Sequence, residues 1–130
     1  MRILKGGLRL LATLSLALAF GLSLRRRFLT FEVAGYSMLP TYRPGDWLLA
    51  DRNAFRERAP RPGEVVIATD PRDPTRTIVK RVLAVTEDGA IDLRGDNPEH
   101  STDSRDYGPI PAASVVAKVL FRYRKGPQLP

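Results

Sequence analysis

The sequence predicts a mostly β fold, namely a small antiparallel β-barrel or folded sheet that follows a hydrophobic N-terminal helix. Two observations predict this fold class. Beyond residue 27, short runs of strand-forming residues alternate with turns rich in proline and glycine. Before it, fifteen residues from Leu10 to Leu24 carry no charge, which is typical of a hydrophobic helix. With 130 residues, 43% of them hydrophobic, we expect an N-terminal segment over residues 1–27 and one β domain over residues 28–130.

The N-terminal segment has the features of a membrane anchor. Its uncharged stretch would form a helix about 22 Å long, shorter than the hydrocarbon core of about 30 Å. Arg9 and Arg25 can extend their charged ends toward the headgroups, which makes spanning feasible. Two alternatives stay open: a signal peptide with the small-residue cleavage site Ala17-Leu18-Ala19, or a helix that lies on the membrane or against a partner. Three basic residues flank each side, so charge barely decides the orientation.

The net charge of +7 belongs almost entirely to this segment. Residues 1–27 contain six basic residues and no acidic one, whereas residues 28–130 contain 15 basic and 14 acidic residues. Nucleic-acid binding depends on a clustered basic surface that neutralises phosphates. Here the basic residues flank an apolar run instead, which favours contact with anionic lipid headgroups. We therefore predict membrane lipid as a partner of residues 1–27, and no nucleic acid.

Six strands are predicted in the β domain. Asp88-Gly89 lies between two of them and is typical of a tight hairpin turn. Pro44-Gly45 and Pro62-Gly63 each precede a strand, since proline fixes φ and glycine adopts the positive φ of such turns. We expect exposed loops over residues 56–61 and 70–76. The predicted strands cover residues 29–33, 47–51, 65–69, 77–85, 90–93 and 115–123.

The composition excludes several kinds of chemistry. The chain has no cysteine and one histidine, so thiolate sites, multi-histidine metal centres and HExxH zinc sites are ruled out. Neither GxxxxGK[ST] nor GxGxxG occurs, and the acidic stretch 92–106 lacks the glycine of a calcium loop. We predict no metal and no cofactor. His100 lies in a polar loop, where a solvated side chain is expected rather than a catalytic one.

A serine and a lysine remain as candidates for catalysis. Ser37 follows the first strand in a turn where Gly35 would allow a close backbone approach and Pro40 stiffens the exit. Such a turn can leave a hydroxyl exposed and a backbone N–H free to bind an oxyanion. Lys80 lies in the most strand-like run of the chain, on the same face as Ile78 and Val82.

Burial of Lys80 beside aliphatic side chains would lower its pKa toward that of a useful general base. A neutral lysine near a serine hydroxyl can take its proton during attack on a carbonyl. The alternatives are an ordinary turn serine and a lysine that extends into solvent from an edge strand.

Three stretches together resemble the signal peptidase I family of serine endopeptidases. GYSMLPT is similar to the nucleophile box of the family, VKRV to its lysine box, and GDN-x₃-S-x-DSR to its C-terminal box. They occur in the family order between residues 31 and 110. The resemblance implies a dyad in which Ser37 is the nucleophile and Lys80 the general base. A lysine at this position is typical of the bacterial and organellar members of the family.

The resemblance also implies supporting roles for several residues. Ser101 would orient the lysine, and Asp103 and Arg105 would form an ion pair behind the site. Asp96 and Asn97 match the start of the C-terminal box. Some members add an oxyanion-hole serine two residues before the nucleophile. That position is Gly35 here, so the oxyanion would rest on backbone N–H groups, mainly that of Ser37.

The partner implied is a precursor protein with an N-terminal leader or signal peptide. Only fourteen residues separate Lys80 from Gly95, so the large inserted domain of many family members is absent. The GDNP variant and the FRYRKGP tail resemble a short subgroup, the maturation proteases of nickel-type superoxide dismutase. A general type I signal peptidase is the main alternative, and a self-cleaving repressor-type protease domain or a non-enzymatic membrane-tethered β module are weaker ones.

We expect a single-pass protein of the bacterial cytoplasmic membrane with an extracytoplasmic catalytic domain. A superoxide dismutase maturase would instead place that domain on the cytoplasmic face.

Overall fold

The computed structural model describes residues 2–128 as one long helix followed by a six-stranded sheet. Helix α1 covers Arg2–Arg27 and continues without a loop into the first strand. The strands are β1 (Phe28–Glu32), β2 (Trp47–Asp51), β3 (Val65–Asp70), β4 (Asp73–Val85), β5 (Ile91–Arg94) and β6 (Val115–Arg124). Short helical turns lie between β5 and β6: a 3₁₀ turn over Pro98–His100, the single turn α2 over Ser104–Tyr107 and a 3₁₀ turn over Ala112–Ser114.

The strand order in the sheet is β1-β2-β6-β3-β4-β5, and every neighbouring pair is antiparallel. The predicted mostly β, antiparallel fold with an N-terminal apolar helix is therefore confirmed. Gly45, Gly63 and Gly89 have φ values of 87°, 91° and 84°, as the predicted turns require. The two strands that follow the Pro-Gly turns do not pair with each other, because β6 lies between them.

One predicted loop is wrong. Residues 70–76 were expected to be an exposed loop, but β3 runs to Asp70 and β4 already begins at Asp73. The turn between them is short because the carboxylate of Asp70, only 1% exposed, accepts hydrogen bonds from the backbone N–H and the guanidinium of Arg72. The other strands begin or end within one residue of their predicted limits.

The sheet has a hydrophobic core on each face, because β3 is buried on both sides. Val65 and Ile67 point into the first core with Met38, whereas Val66 and Ala68 point into the second with Ile78. β4 contributes side chains to both cores, Val79 to the first and Ile78 and Val82 to the second. Lys80, which lies between Val79 and Val82 on this strand, is therefore enclosed.

Helix α1 packs against neither core. None of its residues is buried, and apolar side chains such as Leu14, Leu18 and Phe20 are 57–66% exposed. The helix is long and apolar enough to cross a membrane, with a mean hydropathy of 1.7 over its best window and none of that window buried. Its 26 residues correspond to about 39 Å.

Candidate active site

The loop over residues 33–46 holds Ser37 above the first core. Its two ends are joined by backbone hydrogen bonds, from Val33 N to Asp46 O (2.9 Å) and from Gly45 N to Val33 O (2.7 Å). Met38, the residue after the serine, is fully buried in that core. Ser37 itself is partly exposed. The loop is thus fixed at its base and at Met38, which leaves the serine at the surface of the domain.

Ser37 and Lys80 line the same cavity, of about 230 Å³. Its apolar wall includes Phe31, Val33 and Ile78, and its rim includes polar and basic side chains. Among residues 2–128, neither the hydroxyl nor the backbone N–H of Ser37 makes a hydrogen bond. Both groups are therefore available to a ligand in this cavity. Hydrogen bonds between a nucleophile and its base are often long in the absence of substrate.

Lys80 is nearly enclosed, with 5% of its surface exposed. It pairs with Val66 across the ladder and lies on the same face as Ile78 and Val82. Burial lowers the pKa of its ammonium group, because the charged form loses hydration. The nearby carboxylate of Asp103 opposes this shift only in part. The predicted lowered pKa of Lys80 thus has a structural cause.

A chain of hydrogen bonds orients the lysine. Nζ of Lys80 lies 3.0 Å from Oγ of Ser101, which lies 2.8 Å from Oδ2 of Asp103. An ionised carboxylate only accepts, so the hydroxyl of Ser101 donates to Asp103 and must accept from Lys80. Lys80 therefore donates one N–H to Ser101. When its amine is neutral, the lone pair of Nζ remains free to accept a proton from another group.

Asp103 is the fixed end of this chain. It is fully buried, and burial alone would raise its pKa. Hydrogen bonds from Arg105, from the backbone N–H of Gly95 and from Ser101 reverse that effect and hold the pKa of Asp103 well below its ordinary range. The Arg105 guanidinium donates from both Nε (2.9 Å) and Nη2 (2.7 Å). Asp103 is consequently a permanent acceptor at neutral pH.

Asp96 and Asn97 connect the C-terminal box to the serine loop. The carboxylate of Asp96 accepts two hydrogen bonds from Arg81, at 2.8 and 2.7 Å, and one from the hydroxyl of Thr41 at 2.6 Å. Asn97 donates from its backbone N–H to Ser37 O (2.8 Å) and from its side chain to Tyr36 O (3.0 Å). These contacts fix the backbone of the serine loop relative to β4.

Gly95 is a residue whose role the sequence did not reveal. A Cβ at this position would lie 2.1 Å from Oγ of Ser101 and 2.7 Å from the backbone O of Ser37. The absence of a side chain therefore permits the serine loop and Ser101 to approach each other. No role was predicted for Arg81 and Thr41 either, although they belong to the motifs VKRV and GYSMLPT.

The structure brings most of the predicted site residues together. Ser37, Gly35 and Lys80 share the cavity, and Ser101, Asp103 and Arg105 support the lysine. Nothing lies within 4 Å of a Cβ built at Gly35, so no other backbone of residues 2–128 makes the close approach that this glycine would allow. His100 is exposed, as expected, at the mouth of the cavity. No group of metal-ligating residues occurs in the described part of the chain.

Comparisons with known proteins all point to the same protein family. The family described as signal peptidase, peptidase S26, matches residues 8–89, which include Ser37 and Lys80. The mitochondrial ATP-independent inner membrane protease subunit 1a of Arabidopsis thaliana is 35% identical, over 72% of this chain and 68% of that protein. Subunit 1b from the same plant is 33% identical, over 68% of this chain and 65% of that protein.

The human mitochondrial inner membrane protease subunit 1 is similar as well. It is 32% identical, over 68% of this chain and 65% of that protein. The chain therefore spans about two thirds of the length of these relatives.

Proposed function

This chain belongs to the signal peptidase family, peptidase S26, and we propose that it is a serine endopeptidase that removes N-terminal leader or signal peptides from precursor proteins. One observation carries the proposal most directly. A nearly enclosed lysine with a lowered pKa lines the same cavity as a serine whose hydroxyl and N–H are both free. A surface ion pair would need none of these features.

In the proposed reaction Ser37 attacks the scissile carbonyl while neutral Lys80 takes the hydroxyl proton. The backbone N–H of Ser37 donates to the developing oxyanion. Protonated Lys80 then gives its proton to the leaving amine, and the C–N bond breaks to leave an acyl ester on Ser37. Water, deprotonated by Lys80, attacks that ester and releases the new carboxyl end together with the free serine.

Ser101 and Asp103 act on this reaction through Lys80. Asp103 fixes the proton of Ser101, and Ser101 in turn fixes one N–H of the lysine. Asp96 and Asn97 act through the serine loop, whose backbone they hold. We propose that these four are positioning residues, and that Arg105 supports them by keeping Asp103 ionised. Gly35 leaves open space beside Ser37, where a substrate backbone fits.

For the substrate we propose two candidates. The motif variant GDNP and the FRYRKGP segment favour the precursor of a nickel-type superoxide dismutase. The exposed apolar helix and the relatives, which are named inner membrane proteases, favour membrane-targeted or exported precursors. The self-cleaving repressor alternative is weaker, because α1 is one continuous exposed helix rather than a DNA-binding module.

We propose further that α1 anchors the enzyme in the bacterial cytoplasmic membrane as a single span. The helix is uncharged over about four turns, and none of its residues is buried. The sheet domain would then act on the extracytoplasmic side for exported precursors. For a superoxide dismutase precursor it would act on the cytoplasmic side.

The test is cleavage of both precursors by the full chain in detergent, followed by mass spectrometry of the new N-termini. We expect Ser37→Ala to abolish cleavage and Ser114→Ala to leave it unchanged, because the Ser114 hydroxyl makes no hydrogen bond among residues 2–128. Undiminished cleavage by Ser37→Ala would overturn the proposed nucleophile. Cleavage of only one precursor by the wild type identifies the substrate class.

A further inference from the structure

A second cavity, of about 380 Å³, shares no lining residue with the cavity of Ser37 and Lys80. It is formed by the last two turns of α1 and the loop that follows β2. Ser23, Arg26 and Arg27 contribute from the helix, and Asn53 and Arg56 from the loop. We call it the arginine cleft. None of its residues takes part in the proposed catalysis.

The charge of the arginine cleft is not balanced by the protein. Arg27 is bound by Asp51, with donor–acceptor distances of 3.2 and 3.1 Å. Arg26 and Arg56 have no carboxylate partner and make no side-chain hydrogen bond within residues 2–128. Two guanidinium groups therefore face one cleft with their charge uncompensated. A bound anion would relieve their repulsion, and guanidinium groups match the oxygens of a phosphate.

The position of the cleft along α1 indicates which kind of molecule would carry that phosphate. The uncharged run of α1 ends at Leu24, one residue before the three consecutive arginines. Ala19 and Leu22 from that run form the apolar wall of the cleft. Apolar wall and basic rim thus meet at the point where a membrane-embedded helix leaves the hydrocarbon. Phospholipid headgroups occupy this level, and anionic ones attract arginine.

We propose that the arginine cleft binds the phosphate headgroup of an anionic phospholipid. Arg26 and Arg56 contact the phosphate, and Ala19 and Leu22 contact the upper part of the acyl chains. This inference rests on the proposal that α1 lies in a membrane, and it is independent of the peptidase chemistry.

The lipid would join two parts of the molecule that otherwise touch little. Arg26 belongs to the helix, whereas Arg56 belongs to a loop of the sheet domain. A shared phosphate therefore fixes the rotation of the sheet domain relative to the membrane surface. The Arg27–Asp51 pair, which also joins helix and domain, would act in the same direction.

The test compares lipid retention by the full chain in detergent, measured by native mass spectrometry during titration with phosphatidylglycerol or phosphatidylcholine. The variant Arg26→Gln/Arg56→Gln removes the two free charges, and Arg61→Gln/Arg124→Gln removes two exposed charges elsewhere. We expect the wild type and the control to bind phosphatidylglycerol roughly tenfold to thirtyfold more tightly than the cleft variant does. Phosphatidylcholine should bind all three proteins equally.

Inorganic phosphate is the second arm of the experiment. We expect it to leave the melting temperature of the wild type unchanged at concentrations where phosphatidylglycerol raises it. Equal stabilisation by inorganic phosphate, lost in the cleft variant, would overturn the lipid as the occupant. Equal retention of phosphatidylglycerol by the cleft variant and the control would overturn the site. Cleavage of a soluble leader peptide should be the same in all three proteins, so a failure of the peptidase proposal is recognised separately.

Discussion

Lys80 is the residue on which the proposed mechanism depends, and its environment favours the neutral amine. It is enclosed by the second core, and the nearest hydrogen-bond partner is a hydroxyl rather than a carboxylate. The sequence predicted its burial correctly, because period-two alternation places it on the face of Ile78 and Val82. Alternation could not predict the contact of Lys80 with Ser101, which lies 21 residues further along the chain, or the hydrogen bond from Ser101 to Asp103. Only the resemblance suggested them.

We expect Ser101→Ala to reduce cleavage without abolishing it. The variant removes an orienting hydrogen bond, which is worth about 1–3 kcal/mol and corresponds to roughly 5- to 150-fold in rate. It also removes the hydroxyl that separates Lys80 from Asp103. Because the loss should fall on kcat rather than KM, steady-state kinetics with a leader peptide measure it. Complete inactivity in a folded Ser101→Ala protein would mean that Ser101 reacts directly.

Gly95 lies between Ser101 and the serine loop. Gly95→Ala introduces a methyl group 2.1 Å from Oγ of Ser101, so one of the two segments has to move. Overpacking of this kind costs about 1–3 kcal/mol of stability. We expect a lower melting temperature and a loss of activity.

Gly35→Ala is the matched control for folding, since its new Cβ meets no atom within 4 Å. Its melting temperature should equal that of the wild type. Equal melting temperatures and activities for Gly95→Ala and wild type would contradict the packing described for Gly95.

At the scale of elements, the sequence predicted strands best where apolar residues run unbroken between turn residues. The start of β4 was missed because its residues do not form such an apolar run. Its first residues, from Asp73 to Arg76, are polar or proline, and in the register only Asp73 pairs with β3, opposite Asp70. Local propensity contains no information on such pairing. The ion pair between the buried Asp70 and Arg72, which holds the turn, is likewise visible only in the structure.

Glu64 joins the 56–61 loop to β6. Its carboxylate accepts hydrogen bonds from both nitrogens of Arg58 (2.8 and 2.7 Å), and Lys118 of β6 lies 2.9 Å away. The bonds from Arg58 are the main reason that the pKa of Glu64 is lowered to about 2. Since this pKa is lower in the folded state, the stabilisation is full above the ordinary pKa of about 4.5 and disappears as the pH falls toward about 2.

We expect Glu64→Gln to lower the free energy of unfolding by about 1–3 kcal/mol at neutral pH. Urea unfolding between pH 7 and pH 2 measures the difference from wild type, which should shrink as the pH falls below about 4.5. Glu87→Gln is the control, because the Glu87 side chain is exposed and has no ion-pair partner in the described region. A pH-independent difference for Glu64→Gln would contradict the role assigned to the ion pair.

At the scale of the whole molecule, helix and sheet domain are almost separate. The helix buries none of its residues, and every candidate site residue lies beyond Phe28. The sequence predicted the N-terminal apolar helix from the uncharged run between Leu10 and Leu24. It could not predict the Arg27–Asp51 contact or the arginine cleft, because these depend on how the helix leaves the sheet.

We expect a chain that begins at Phe28 to cleave a short soluble leader peptide within about tenfold of the full-length rate. It loses the Arg27 partner of Asp51, which is 7% exposed, so its melting temperature should be lower. A chain that begins at Arg26 keeps that ion pair and should melt like the sheet domain of the full chain. If the Phe28 chain folds but cleaves nothing even in detergent, α1 contributes to the active site.

The central claim, that Lys80 is the general base of Ser37, is tested most directly by Lys80→Arg across neutral to alkaline pH. Only the neutral amine can accept the proton, so wild-type cleavage should rise with pH through the lowered pKa of Lys80 and then level off. Arginine, whose pKa exceeds about 12, stays protonated, so we expect no cleavage by Lys80→Arg at any of these pH values. Lys118→Arg changes a residue that forms an ion pair with Glu64 outside the site, so it should keep the wild-type profile. A folded Lys80→Arg protein that cleaves within about tenfold of the wild-type rate would contradict the claim.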